Sequence, residues 1–286
     1  MNRIITSITL LLAATSQMSA DVHDTDIRFH CERDTARINR ILENTVKLDR
    51  KDATEALINE FLGTPYKEST LEGETEQLTI NVDEVDDRTL VDNIVSLRRS
   101  LNAAVPVWRN FADRLENVRY RKGQLWGYAS RLHYPSQWVG ENVYRGNVKE
   151  ITENLPGNQQ TNKSLIYMSR HRDEFPALKD SSIYEGIRDM EASYRSHRYP
   201  YMRKESIGKK QVVEMLRTGD IIMLLSKDPD LDVSHMGFIR IRDGKAYLIH
   251  ASKEAGKVVE EKNPLDDFFR HEGRNYAGYR IIRIEE

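Results

Sequence analysis

Residues 234–252 read SHMGFIRIRDGKAYLIHAS. Two apolar-rich runs, Met236 to Ile241 and Ala246 to Ala251, flank Asp243-Gly244, a dipeptide that accepts positive φ and closes a two-residue hairpin. With those two residues as the turn, Arg242 pairs with Lys245, and counting back sets His235 opposite Ser252. His250 then lies one diagonal step from His235, on the same sheet face. Two imidazoles at one end of a sheet form a candidate dyad, whereas one strand histidine alone is more often structural.

Further strands are predicted at Asp220 to Leu225 (DIIMLL), Gly256 to Glu260 (GKVVE) and Gly278 to Ile284 (GYRIIRI). The chain before them is mostly helical in period. Ile38, Ile41, Leu42 and Val46 share one face of a helix over Glu32 to Leu48. Ala53, Ala56, Leu57 and Phe61 do so over Asp52 to Leu62, which stops at Gly63 with Pro65 behind it. A short alternating strand, Gln77 to Val82, precedes a third helix that starts near Asp86-Asp87 and runs to Leu101. A helix from Val107 to Arg121 carries Arg109, Arg114, Arg119 and Arg121, read as a solvated basic face. Helices first and an antiparallel sheet after them indicate an α+β fold. Without a repeat or a long Gly/Ser/Pro linker, residues 21–286 are expected to form a single domain, with a helical insertion at about 105–205.

Composition narrows the function. The chain has 286 residues, with 43 Lys plus Arg against 45 Asp plus Glu, a formal net charge of −2. That balance lacks the electrostatic footprint of a nucleic-acid binder. A single cysteine, Cys31, excludes an internal disulfide framework and any multi-cysteine metal cluster. Residues 1–20, MNRIITSITLLLAATSQMSA, combine one early Arg, an apolar run from Ile4 to Ala14 and small residues at Ser19-Ala20. This is the layout of a secretory signal peptide, and the run is too short to span a bilayer. The mature chain is therefore expected to be periplasmic or secreted, with no integral membrane segment.

Four pieces invite a chemical reading: Leu62-Gly63-Thr64-Pro65-Tyr66 at a helix exit, Asp86-Asp87 at a helix start, Ser234-His235-Met236-Gly237, and His250-Ala251-Ser252. Taken singly, the first is a helix stop and the second a pair of capping acids. Together, and joined by Gly219-Asp220, Ser130 to Tyr134 (SRLHY), Trp138 and Met168 to Asp173 (MSRHRD), they resemble the N-acetylmuramoyl-L-alanine amidase-like branch of the NlpC-type, papain-like cell-wall cysteine peptidases. The resemblance implies a papain-like fold with helices packed on a C-terminal antiparallel sheet. It also implies a peptidoglycan stem peptide as ligand.

In that family a cysteine at a helix start is the nucleophile, a first histidine is its base and a second polar residue orients the histidine. The resemblance places His235 as base, His250 as orienting group, and Tyr66, His133 and Tyr134 along the substrate cleft. The cysteine position is Asp87, followed by Arg88. Cys31 precedes the motif by more than fifty residues and could reach His235 only if the N-terminal arm folded over the cleft. The leading expectation is a catalytically inactive fold that binds stem peptides or serves as a regulatory module. One alternative is an amide hydrolase using Asp87, His235 and His250, with a metal as one route. Another is a protein-interaction scaffold presenting the Arg/Tyr-rich stretch Tyr184 to Arg203. No cofactor or resident metal is expected, and protein partners are left open.

Overall fold

Residues 27–285 are described by a computed structural model. From the start of this range, strand β1 (Ile27–Phe29) leads into helices α1 (Asp34–Thr45) and α2 (Arg50–Phe61), then β2 (Leu78–Ile80), α3 (Asp87–Ser100) and α4 (Trp108–Arg119). A middle section holds α5 (Pro135–Tyr144), β3 (Val148–Glu150), β4 (Gln159–Lys163), α6 (Tyr167–Arg170), α7 (Ser181–Ser193) and β5 (His197–Tyr201). The chain closes with α8 (Lys210–Val213), β6 (Ile221–Leu225), β7 (Val233–Arg242), β8 (Lys245–Ser252), β9 (Lys257–Glu260), α9 (Leu265–Arg270) and β10 (Tyr279–Ile284). The result is a mixed α+β fold. Among the described residues no helix is long and apolar enough to cross a membrane. The proposed signal segment lies outside the described residues.

The central sheet has the order β3-β10-β6-β7-β8-β9, with every neighbouring pair antiparallel. Its hairpin has Arg242 opposite Lys245 and Phe238 opposite Ile249. Asp243 and Gly244 both take positive φ, 52° and 70°, as a primed two-residue turn requires. Alternate residues feed two cores. Ile221, Met223, Met236, Phe238, Ile249 and Ala251 join the helices α1 to α4 in one buried cluster. Ile222, Leu224, Ile239, Leu248 and Ile281 face the other way, against Phe268 and Phe269 of α9. Burial on both faces explains why DIIMLL reads as an unbroken apolar run rather than an alternating one.

Three sequence expectations need correction here. Residues 105–205 are not helical throughout: they supply β3 to the edge of the central sheet, and β4 pairs antiparallel with β5 in a separate two-stranded sheet. Arg119 does not belong to a solvated basic face. It is 2% exposed, and its guanidinium donates to Asp92 Oδ2 at 3.1 Å and to the Thr79 carbonyl at 2.7 Å. Cys31 does not merely lead into a helix. It follows β1, whose parallel pairing with β2 sets the thiol 3.4 Å from Asp83 Oδ2.

Helix α3 positions the site, and its orientation is fixed from behind. Asp92, fully buried, accepts from Arg88 Nε at 3.2 Å, Arg119 Nε at 3.1 Å and Trp138 Nε1 at 3.0 Å. Leu90, Ile94 and Leu97 anchor the helix in the first core. The fixed rotation of α3 thus turns its first residue toward the sheet end that carries the histidines.

Candidate active site

The start of α3 is built by a capping box. Asp86 Oδ1 accepts from Thr89 N and Thr89 Oγ1, each at 2.7 Å, while Asp86 N donates back to Thr89 Oγ1 at 2.9 Å. This reciprocal arrangement satisfies the free N–H groups of the first turn. The next residue, Asp87, points across to β7. Its Oδ2 lies 3.2 Å from His235 Nδ1 and accepts from Met236 N at 3.0 Å. From there a line of contacts continues: His235 Nε2 is 2.6 Å from His250 Nδ1, and His250 Nε2 is 2.8 Å from Glu261 Oε1. The two imidazole rings meet edge to face, with centroids 4.9 Å apart and planes at 86°.

Backbone packing makes the histidine contact possible. At Gly237 a Cβ would sit 2.4 Å from the Ile249 carbonyl oxygen and 3.0 Å from the His250 Cβ. Any side chain there would push β8 away, so the Gly of the SHMG run sets the spacing of the dyad. A Gly237→Ala variant is expected to separate the rings, seen as loss of the ring-to-ring nuclear Overhauser contact between His235 and His250 by NMR; an unchanged contact would contradict this.

The site's rim comes from the LGTPY turn and the loop after β8. Backbone bridges tie Pro65 to Lys257 and Tyr66 to Val85, so the turn spans from β9 to the lead-in of α3. The Tyr66 hydroxyl donates to Glu68 Oε1 at 2.9 Å, and Lys253 Nζ reaches the same oxygen at 2.7 Å. Burial, then the bond to Glu68 and the charges of Glu68, Asp87 and Asp86, push the Tyr66 phenol upward, so it stays protonated. Tyr276 stacks on His235 with centroids 6.5 Å apart.

Electrostatics divide the two adjacent acids. Burial and the neighbouring Asp87 charge push Asp86 up to about 6. Burial also acts to raise Asp87, but the His235 charge, its hydrogen bond and the Met236 and Arg88 backbone N–H groups outweigh it and hold that carboxyl below its ordinary value. Burial, then the charge of His235, hold the His250 imidazole below its ordinary value.

A pH dependence follows from Asp86. Between its ordinary value of 3.8 and about 6 the folded chain binds more protons at this group than the unfolded chain, so its contribution to stability falls as pH rises through that window. Asp87, shifted the opposite way, contributes stability above its ordinary value and loses it as pH falls through the depressed one. Asp86→Asn keeps the accepting oxygen of the capping box and removes the charge. Urea unfolding from pH 4 to pH 7 should show the variant gaining on wild type as pH rises to about 6, by about 1–3 kcal/mol in all. A gap that does not change with pH would contradict it.

Of the residues singled out from the sequence, Asp87, His235 and His250 converge, and Tyr66 stands at their rim. Tyr134 does not line a cleft: it is 2% exposed, and its hydroxyl donates to Glu191 Oε1 at 2.7 Å while accepting from Met168 N. Such a buried phenol with both roles filled is a packing element. His133 is half-buried, bonds the Tyr128 carbonyl through Nε2 at 2.9 Å and packs on the Tyr128 ring at 4.6 Å. Burial, then the Arg131 charge, push it down to about 3, so it is neutral. Arg88 is turned away to Asp92 and the Leu132 carbonyl, with its guanidinium 5.7 Å from the Trp138 ring centre.

Sequence reasoning missed Glu261, although a signal for it existed. In the β8–β9 pairing His250 opposes Val259, and Glu261 N donates to the Leu248 carbonyl. Glu261 is therefore diagonal to His250, as His250 is to His235, and the same two-residue parity finds both.

The metal route was also tested by this geometry. Asp87 uses the Nδ1 side of His235 and His250 the Nε2 side, so the ring stands between them and their ligand atoms do not face one point. Among the described residues, Cys31, Asp34 and Asp83 do bring ligand atoms together within 4.8 Å. There Asp83 is paired with Arg37, and Asp34 accepts from Cys31 N.

Comparison with known proteins places the chain as a whole. Residues 56–273 match the family described as N-acetylmuramoyl-L-alanine amidase-like. An N-acetylmuramoyl-L-alanine amidase from Bacteroides uniformis is 31% identical with a TM-score of 0.76, over 82% of this chain and 99% of its own. A Bacteroides fragilis protein described as a candidate xylanase is 34% identical with a TM-score of 0.74, over 80% of this chain and 99% of its own. A Legionella pneumophila protein, 20% identical with a TM-score of 0.69 over 89% of this chain and 95% of its own, shares the fold. No curated protein matches the chain. With most of its length matched, and its α3–β7–β8 core carried on the same fold as the Bacteroides amidase, the chain belongs to the N-acetylmuramoyl-L-alanine amidase-like family.

Proposed function

We propose that this protein is an exported, peptidoglycan-directed member of the family that has lost the amide-cleaving step and binds cell-wall stem peptides or acts as a regulatory module. Residues 1–20 act as its signal peptide, and residues 21–286 form one NlpC-type, papain-like unit. The observation that carries the reading is Asp87 at the first position of α3, held by His235 and by Met236 N–H. A thiolate at this position would attack the amide carbonyl, the C–N bond would break to release the protonated amine, and the resulting thioester would be hydrolysed by water. A carboxylate attacking the same carbonyl would form a mixed anhydride, which the departing amine readily recaptures. Held between an imidazole and a backbone N–H, the Asp87 oxygen is also poorly placed to attack.

Binding uses what remains. Tyr66, Glu68, Lys253 and Tyr276 offer stacking and hydrogen-bonding groups around the closed pair. Mature wild-type chain incubated with purified, insoluble peptidoglycan should sediment with it and release no soluble muropeptides. Tyr66→Ala should weaken co-sedimentation about tenfold. A wild-type chain that stays in the supernatant at all peptidoglycan concentrations would contradict the binding reading.

A further inference from the structure

The line of contacts through the site has four members, and its hydrogen inventory can be counted. Asp87 and Glu261 are carboxylates at its two ends, and the contacts are 3.2 Å, 2.6 Å and 2.8 Å in turn. An ionised carboxylate only accepts, so His235 Nδ1 and His250 Nε2 must each carry a hydrogen to bond their acids. That leaves His235 Nε2 facing His250 Nδ1 at 2.6 Å. Two bare lone pairs at that distance repel, so a third hydrogen must lie between them. Three ring hydrogens on two imidazoles amount to one positive charge.

The geometry points to Glu261 as a positioning residue that fixes the tautomer of His250, making its Nδ1 the acceptor for a doubly protonated His235. The charges along the line then run Asp87 negative, His235 positive, His250 neutral, Glu261 negative. Two observations support placing the charge on His235. His235 is the ring next to Asp87, whose carboxyl is held ionised, and His250 is the more buried ring, its side chain 7% exposed against 17%. Other groups around the pair do not compete for these hydrogens. Tyr276 meets His235 ring to ring, Phe268 meets His250 edge to face, and Glu254 bonds Ser252 while acting on both rings only through its charge.

This deepens the reading of the site given above and rests on its residues. A His235 whose two nitrogens are both protonated has no lone pair with which to activate water or a hydroxyl. Glu261, missed in the sequence, thus acts from the far end of the line, with both histidines between it and Asp87.

The test is two-bond 1H–15N NMR of the mature chain labelled at the histidine ring nitrogens, at pH 7. Wild type should show His235 protonated on both nitrogens and His250 on Nε2 alone. In Glu261→Ala the Nε2 acceptor is gone, so His250 should move its hydrogen to Nδ1 and donate to His235, with loss of one ring N–H from the pair. Glu261→Gln, whose amide oxygen still accepts, should restore the wild-type pattern. A wild-type His250 protonated on Nδ1, or a Glu261→Ala spectrum identical to wild type, would overturn the assignment. Peptide release by wild type would overturn the proposed loss of activity and leave this assignment standing, so the two can fail separately.

Discussion

An Asp87→Cys variant is expected to release stem peptides from purified peptidoglycan where wild type releases none. The argument rests on what α3 and β7 already supply. The first position of α3 points its side chain at His235 Nδ1, 3.2 Å from the present carboxylate oxygen. A thiol there gains the partial positive charge of the helix N-terminus and a neighbouring imidazole, both of which favour thiolate. It also removes the carboxylate that holds His235 as a cation, so the imidazole can take the thiol's proton. Losing the nucleophile of a covalent hydrolase costs several orders of magnitude, and regaining it should raise the rate by at least about 10³-fold over wild type. Mass spectrometry of the soluble fraction reads this directly. Adding His235→Ala to Asp87→Cys should abolish the gain. If Asp87→Cys binds peptidoglycan like wild type and still releases nothing, the missing nucleophile is not what silences the site.

The second large effect is on stability, at Asp92. This carboxylate has no exposed surface and is the common acceptor for Arg88, Arg119 and Trp138. Asp92→Ala would leave the Arg119 guanidinium buried beside an apolar core with its countercharge gone and the indole N–H unpaired. Breaking a buried pair from one side costs about 3–5 kcal/mol, a large share of the 5–15 kcal/mol typical of a folded domain. Urea unfolding should show the midpoint falling accordingly. Arg119→Met in the Asp92→Ala background should recover part of the loss, because it removes the stranded charge rather than a further contact. Strictly additive losses would show that the two side chains act independently, contrary to the hydrogen-bond geometry.

The parts legible in the sequence were those governed by local rules. Asp243-Gly244 dictated a turn type, the turn dictated a register, and the register put His235 and His250 on one face. The start of α3 was equally legible, since paired acids after a short strand read as capping residues, while the reciprocal part of Thr89 appears only in the fold. The unreadable parts depend on long-range partners. Arg119 looked solvated because nothing local announces that Asp92, 27 residues earlier, is buried beside it. Tyr134 looked like a cleft residue because its partner, Glu191, lies 57 residues away on α7. β1 is three residues long and pairs in parallel with β2 across two helices, too short to show a period and too distant to show a turn.

Asp87 is the residue on which the account turns. In the sequence it stood as a capping acid, and in the fold it is the end of a line that reaches through both histidines to Glu261. On the proposed reading, that arrangement accounts for a family framework that persists with a charge, neutralised within the site, where the reactive atom would stand.

The most direct test is to incubate purified peptidoglycan with the mature wild-type chain and, in parallel, with a His235→Ala/His250→Ala double variant, and to quantify soluble products by mass spectrometry. The account expects the two digests to be indistinguishable. Muropeptide or free stem-peptide release by wild type above the double variant would show that Asp87 and its histidines perform chemistry, and would contradict it.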